Sequence, residues 1–339
     1  MTASERYGTT VDGFESMPSR LVGELDDRQE RARRKLSYFV AFLDDYLRGI
    51  LPNDLVLIGA PSGMGKTQLA LDIATSNAAS GKWVDYFALE AEPRELERRT
   101  KYSMLVREVY KAKHPERDRM NYTDWLLGDL EYMCGEHNAR VDQEILGKLS
   151  RMRTYYRAAG FTAQDLSKSV LEISKRSQLI IVDHLHYIDS DSEDEHRALG
   201  DAVKAIRDVS LRIGVPIVLI AHLRKRDGRS TQIIADMADF HGSSNVVKIA
   251  TQVIAIENAR GIDSAQWWLS PTFMSVLKDR RAGACRLVGL VDFDLRVKSY
   301  RPRYGLGRVS GGEWQQISPS EVPLWARHHE IRAEVPPQR

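Results

Sequence analysis

Gly59-Ala60-Pro61-Ser62-Gly63-Met64-Gly65-Lys66-Thr67 combines small residues, one lysine and one hydroxyl in the order that cradles a nucleoside triphosphate. An apolar stretch, Leu55 to Ile58, precedes it, and an amphipathic helical pattern, Gln68 to Ser80, follows; such a loop requires this strand–loop–helix context. Small residues let backbone N–H groups converge on phosphate oxygens at a helix N-terminus, whose dipole favours negative charge. Lys66 then reaches the β- and γ-phosphates, and the Thr67 hydroxyl binds Mg²⁺. The strict pattern has glycine where this chain has Ala60, a residue still small enough for close backbone approach. The expected nucleotide-binding set is therefore Ala60, Pro61, Ser62, Gly63, Met64, Gly65, Lys66, Thr67 and Gln68.

The second half of such a site is an acid at the end of a neighbouring strand. Leu179-Ile180-Ile181-Val182-Asp183 supplies four apolar residues and then a carboxylate able to hold Mg²⁺ through water. Many nucleoside triphosphatases place a water-activating glutamate directly after this aspartate, but here the next residue is His184. The base must come from elsewhere. The tip of the segment Tyr86-Phe87-Ala88-Leu89-Glu90 offers Glu90, with Glu92 as its rival.

The elements that position these groups read as short apolar strands alternating with helical patterns, the signature of a parallel sheet in an α/β fold. Strands are expected at Leu55 to Ile58, Trp83 to Leu89, Leu179 to Val182, Val215 to Ile220, Thr251 to Ile256 and Phe273 to Leu277. A last one, Leu287 to Phe293, reads as an edge hairpin. A helical insertion of about 93–177 separates the second strand from the third. Residues 1–35 read as a polar tail, 36–50 as a linker helix with an apolar stripe, 51–312 as the core and 313–339 as a loose C-terminal tail. The 339 residues are 42% hydrophobic and 28% charged, which excludes collagen-like, mucin-like and wholly disordered chains. A net charge of +2 is neutral on nucleic-acid binding. Two cysteines exclude a disulfide scaffold and a zinc ribbon. With no apolar leader and no run approaching the ~20 residues of a membrane span, a cytoplasmic, non-membrane protein is expected.

With these motifs placed, the sequence resembles the RecA-like hexameric ring helicases of the DnaB type, most nearly the helicase domains of phage primase-helicases and mitochondrial replicative helicases. The resemblance runs from about Phe42 to Ser299. It implies a RecA-like core with a mostly parallel sheet, helices on both faces, ATP and Mg²⁺ as cofactors, and Glu90 as the catalytic base. Val218-Leu219-Ile220-Ala221-His222 matches the segment in which a Gln or His senses the γ-phosphate and links it to a DNA-binding loop. Lys278-Asp279-Arg280 matches a Lys-x-Arg pair that reaches the neighbouring subunit's nucleotide, with Arg281 adjacent. Phe293 falls where the family stacks an aromatic on adenine. The basic run Arg224, Lys225, Arg226 and Arg229, after the sensor strand, reads as a loop that neutralises DNA phosphates without reading sequence. Two departures stand out: His241 where the family has arginine, and Thr251 where it has aspartate. The implied function is an ATP-dependent single-stranded DNA translocase, a homo-hexameric ring helicase with a loader or primase partner. The alternative is a RecA-like ring or filament ATPase that regulates or loads without unwinding.

Overall fold

The computed structural model describes residues 17–22, 24–156, 161–188, 195–224, 233–240, 244–264, 266–283 and 286–330. Ten strands form one sheet: β1 (Leu55–Ala60), β2 (Val84–Ala88), β3 (Met152–Tyr156), β4 (Leu179–Asp183), β5 (Ile217–His222), β6 (Gln252–Asn258), β7 (Leu269–Asp279), β8 (Val288–Asp294), β9 (Ser299–Ser310) and β10 (Glu313–Gln316). Their spatial order is β10-β9-β8-β7-β6-β1-β5-β4-β2-β3. The half from β6 to β3 is parallel and the half from β6 to β10 antiparallel. The helices are α1 (Met17–Leu21), α2 (Glu24–Arg33), α3 (Ala41–Leu47), α4 (Lys66–Ala79), α5 (Glu95–Lys111), α6 (Tyr122–Leu127), α7 (Glu131–Lys148), α8 (Ala163–Ile173), α9 (Glu195–Ile213) and α10 (Ser244–Ile249). None of the described helices is long and apolar enough to cross a membrane.

Strand periodicity divides the core in two. Val56 and Ile58 of β1 point to one face, where they pack with Leu69 and Ile73 of α4 and Phe42 and Leu43 of α3. Leu55 and Leu57 point to the other, against Leu166 and Val170 of α8, Val203 and Ile206 of α9, and Val246 of α10. Covered on both faces, the central strands can be continuously apolar, as Leu179 to Val182 is.

Four expectations are corrected. Residues 36–50 do not form one helix: Leu36, Tyr38 and Val40 are buried in irregular chain, with Phe39 at a φ of 68°, and helix begins only at Ala41. The apolar stripe packs on this chain's own core, with Phe42 and Leu43 fully buried. The helical insertion contains β3, hidden from sequence reading because Met152-Arg153-Thr154-Tyr155-Tyr156 has no apolar run. It is held at the sheet edge by Arg153, whose guanidinium grips buried Asp85 through two bonds of 2.7 and 2.9 Å. Leu287 to Phe293 is not an edge, since β8 lies between β7 and β9. The segment from 313 is not a loose tail up to residue 330. Trp314 covers Gly305 and Gly307 of β9, Trp325 packs against Phe42 and Tyr46, and His328 Nδ1 lies 2.9 Å from Asp45 Oδ2.

Candidate active site

At the end of β1 the chain turns through 61–65 and enters α4 at Lys66. Gly65 takes φ 74°, in the left-handed region where a side chain is strained, and α4 has no side-chain N-cap. The first N–H groups of this 14-residue helix are thus left for an anion. Ala60 is the last residue of β1, fully buried and paired in register with His222, which is why alanine suffices there. Beside the loop, the Phe293 ring lies 3.6 Å from where a Cβ on Gly65 would stand and packs edge-on against Tyr300 at 5.0 Å. Tyr300 Oη in turn donates to Met64 O (3.4 Å).

Asp183 ends β4 almost fully buried. Its Oδ2 accepts from the Tyr86 hydroxyl (2.7 Å), while Oδ1 takes no well-formed hydrogen bond among the described residues. Burial pushes the Asp183 carboxyl above the usual range, opposed by Tyr86, the Thr67 hydroxyl and the Lys66 ammonium. Burial likewise pushes Lys66 down, opposed by the charges of Glu90 and Asp183. Each group is therefore desolvated and short of charge compensation, a state that a Mg²⁺-polyphosphate would relieve. A buried carboxylate oxygen and the Thr67 hydroxyl are the hard oxygen donors Mg²⁺ takes, so the residues fit that ion.

Three adjacent strands bring the next groups together. Glu90 follows β2, His184 follows β4 and His222 ends β5. His184 Nε2 lies 2.8 Å from Glu90 Oε2 and 2.9 Å from His222 Nε2. Glu92 is exposed; its N–H donates to Glu95 at the start of α5, and it has no place in this cluster. Tyr86 and His184 were missed as site residues. Tyr86 could have been found, because period two puts Tyr86, Ala88 and Glu90 on one side of the strand. His184 was read as standing where many such sites have a glutamate and as fitting the second motif of the resembling family, but not as a site residue.

Lys278 and Arg280 lie at the opposite edge of the sheet. Arg280 N donates to Thr251 O (2.9 Å), and Thr251 N donates to Leu55 O (2.8 Å), at the start of β1. Six residues of strand, roughly 20 Å, separate that edge from the phosphate loop. Arg280 is exposed. Arg281 is committed within the chain, its Nη2 donating to Leu47 O (2.9 Å) and Gly49 O (3.2 Å). Lys278 Nζ donates to Val247 O (2.8 Å) and Lys248 O (2.7 Å), closing the C-terminal turn of α10.

Residues 36–296 match the DnaB-like helicase C terminal domain. The chain belongs to that family. The replicative DNA helicase DnaB of Helicobacter pylori (strain ATCC 700392 / 26695) is 21% identical over 247 residues, covering 69% of this chain and 48% of that protein. The chain thus spans about half the length of this curated relative. Among solved structures, a DnaB-like replicative helicase described with its primase interactions superposes with a TM-score of 0.65 at 15% identity, covering 84% of this chain and 68% of that one. A second solved structure, that of an ATPase domain, superposes at 0.64 and 15% identity, covering 85% of this chain and 98% of that one. These structural likenesses establish the RecA-like fold.

Within the DnaB-like frame, Thr251 serves as a local brace. Its hydroxyl accepts from Leu55 N (2.9 Å) and lies 3.3 Å from Asp54 Oδ1. Of the basic loop, Arg224 is exposed and its N–H donates to Asp239 O (2.7 Å), beside the Leu223–Phe240 bridge that ties the loop's two ends. Lys225, Arg226, Arg229 and His241 lie outside the described residues.

Proposed function

We propose that this chain is the motor of an ATP-driven translocase on single-stranded DNA, working as a homo-hexameric ring helicase. The observation that carries the reading is strand polarity. The phosphate loop, Asp183 and Glu90 sit at the C-terminal edge of the parallel strands, and Arg280 sits exposed at the edge opposite. One subunit cannot bring Arg280 to its own nucleotide, but a head-to-tail neighbour can, and such heterologous contacts form a ring where the rotation between subunits closes and a filament where it does not.

In this reading Lys66 neutralises the β- and γ-phosphates, Thr67 and Asp183 hold Mg²⁺, and Glu90 orients the attacking water. Mg²⁺ held there would neutralise the charge that develops on the β- and γ-phosphates. Phe293 stacks on the base. His222 faces the γ-phosphate and passes its state to the 224–229 loop, which tracks the DNA backbone. Arg280 from the next subunit bridges γ-phosphate oxygens with its planar guanidinium. Lys278 acts through α10, whose end it holds, and joins Arg280 only by leaving those carbonyls. Residues 36–50 pack on their own core, so docking on the adjacent subunit is assigned to the segment ahead of it, where Met17 and Leu21 of α1, Val22, and Leu25 of α2 are exposed. A primase or a loader is the proposed partner.

The test is steady-state ATP hydrolysis by wild type and Lys66→Ala, with and without single-stranded DNA, at two salt concentrations. The reading expects strong DNA stimulation that fades with salt and is absent from Lys66→Ala. Lys66-dependent hydrolysis indifferent to DNA would overturn it in favour of a regulator or loader. Mixing Arg280→Ala with Lys66→Ala subunits should restore activity at the mixed interfaces. If mixed rings form and nothing is restored, the finger does not act in trans.

A further inference from the structure

We propose that Glu90, His184 and His222 form a binding site for a borderline divalent cation of the Zn²⁺ class, separate from the Mg²⁺ position at Thr67 and Asp183. Among the described residues these three are the group whose ligand atoms converge, all within 4.8 Å of one another. The convergence is built into the sheet. β5, β4 and β2 are consecutive neighbours, their register ties Ala88 to Asp183, and Leu89 N donates to Asp183 O (2.7 Å). The residues just past those strands are therefore delivered side by side from a rigid scaffold. His184 is 1% exposed, its ring held edge-on against Tyr187 at 4.9 Å, whereas the Glu90 side chain is 42% exposed and opens the site to solvent.

Proton counting favours a cation. His184 Nε2 contacts both Glu90 Oε2 and His222 Nε2, yet a ring nitrogen carries at most one hydrogen. A proton on His184 Nε2 serves both contacts only as a bent, shared bond. A proton on His222 Nε2 instead leaves the His184 lone pair facing the carboxylate. A cation accepts all three lone pairs at once. Two imidazoles and one carboxylate are a zinc-type donor set, with a fourth position left for water. Ligand atoms about 2.0–2.1 Å from a tetrahedral ion stand about 3.3 Å apart, so the two close contacts need to open by about half an ångström and the Glu90–His222 pair, within 4.8 Å, to draw in toward the same separation. Mg²⁺, which takes oxygen ligands, does not suit this set.

The consequence rests on the roles proposed above for Glu90 and His222. An ion here ties up the water-orienting carboxylate and the γ-phosphate sensor together, so Zn²⁺ inhibits hydrolysis by a route that excess Mg²⁺ does not reverse.

The test begins with binding alone. The full chain, stripped with chelator, is titrated with Co²⁺ and followed by the visible absorption of tetrahedral Co²⁺. One equivalent should produce the band, and Zn²⁺ should displace it. Because loss of even an outer partner weakens metal sites 10–100-fold, Glu90→Gln and His184→Asn should each weaken binding at least tenfold, while Lys66→Ala retains it. Glu90 is half exposed, so Glu90→Gln keeps the test valid if His184→Asn fails to fold. No stoichiometric band, or a band unchanged in both variants, overturns the site and leaves the proposed function untouched. Binding without inhibition keeps the site and overturns the roles given to Glu90 and His222.

Discussion

Phe42→Ala separates a segment that belongs to its own core from one that docks on a neighbour. Phe42 is fully buried within one chain. Its ring meets Tyr304 at 5.5 Å, Tyr46 at 6.1 Å and Trp325 at 6.5 Å, and it lies flat on Gly289, where an added Cβ would come within 2.6–2.8 Å of three ring atoms. Truncating a buried phenylalanine to alanine costs about 3–5 kcal/mol, and aromatic partners add roughly 0.5–1.5 kcal/mol per pair. The packing of three rings and a bare backbone around Phe42 places this site at the upper end, about 4–5 kcal/mol. With a slope on the order of 2–3 kcal/mol/M, the urea midpoint falls by about 1.3–2.5 M. The assay is urea unfolding at two protein concentrations, with sedimentation on the same samples. A loss below about 1 kcal/mol, or one present only where the wild type assembles, would refute the intrachain packing. A double-mutant cycle sharpens the test. Gly289→Ala alone overpacks the ring and costs about 1–3 kcal/mol, but in the Phe42→Ala background the new methyl enters vacated space. The two changes should therefore be less than additive by about 1 kcal/mol or more.

Asp72 of α4 is fully enclosed, accepting from Gln68 (3.2 Å) and Ser299 (3.1 Å), and burial pushes its carboxyl up to about 7 despite the nearby Arg107 charge. The folded chain thus retains a proton that the unfolded chain has released. This contribution to stability is complete below about pH 4, declines by as much as about 4 kcal/mol as pH rises to about 7, and is then flat. Asp72→Asn should remove that slope, read as the difference between wild-type and variant urea midpoints from pH 5 to 7.5; parallel profiles would sink the assignment. Glu90→Gln should lower ATP turnover by about 10²–10⁴ with nucleotide binding kept, while Glu92→Gln leaves turnover close to wild type. The reverse ranking would return the base to Glu92.

The parallel half of the fold was legible because its strands are covered on both faces, and burial on two sides leaves an all-apolar run in sequence. β3 and β10 were not legible for the converse reason. Met152 to Tyr156 and Glu313 to Gln316 are edge strands with polar outer positions; β3 is held by a partner far away in the chain, Arg153 on Asp85, and β10 by the short hairpin from β9. The period-two burial of Leu36, Tyr38 and Val40 was written in the sequence, but Phe39, Leu43 and Leu47 made a competing helical stripe that local pattern could not reject. At the site, the phosphate loop and Asp183 are local motifs and could be read directly. The Glu90–His184–His222 convergence depends on β5, β4 and β2 standing side by side, and strand order is a property of the whole sheet. The same order explains Arg280. Its distance from its own phosphate loop follows from β7 running antiparallel to β6, which returns Lys278 to Arg280 to the edge where β1 begins. A residue type suited to the γ-phosphate, stranded at the wrong edge of its own subunit, is the expected design when the nucleotide is completed by the next copy of the chain.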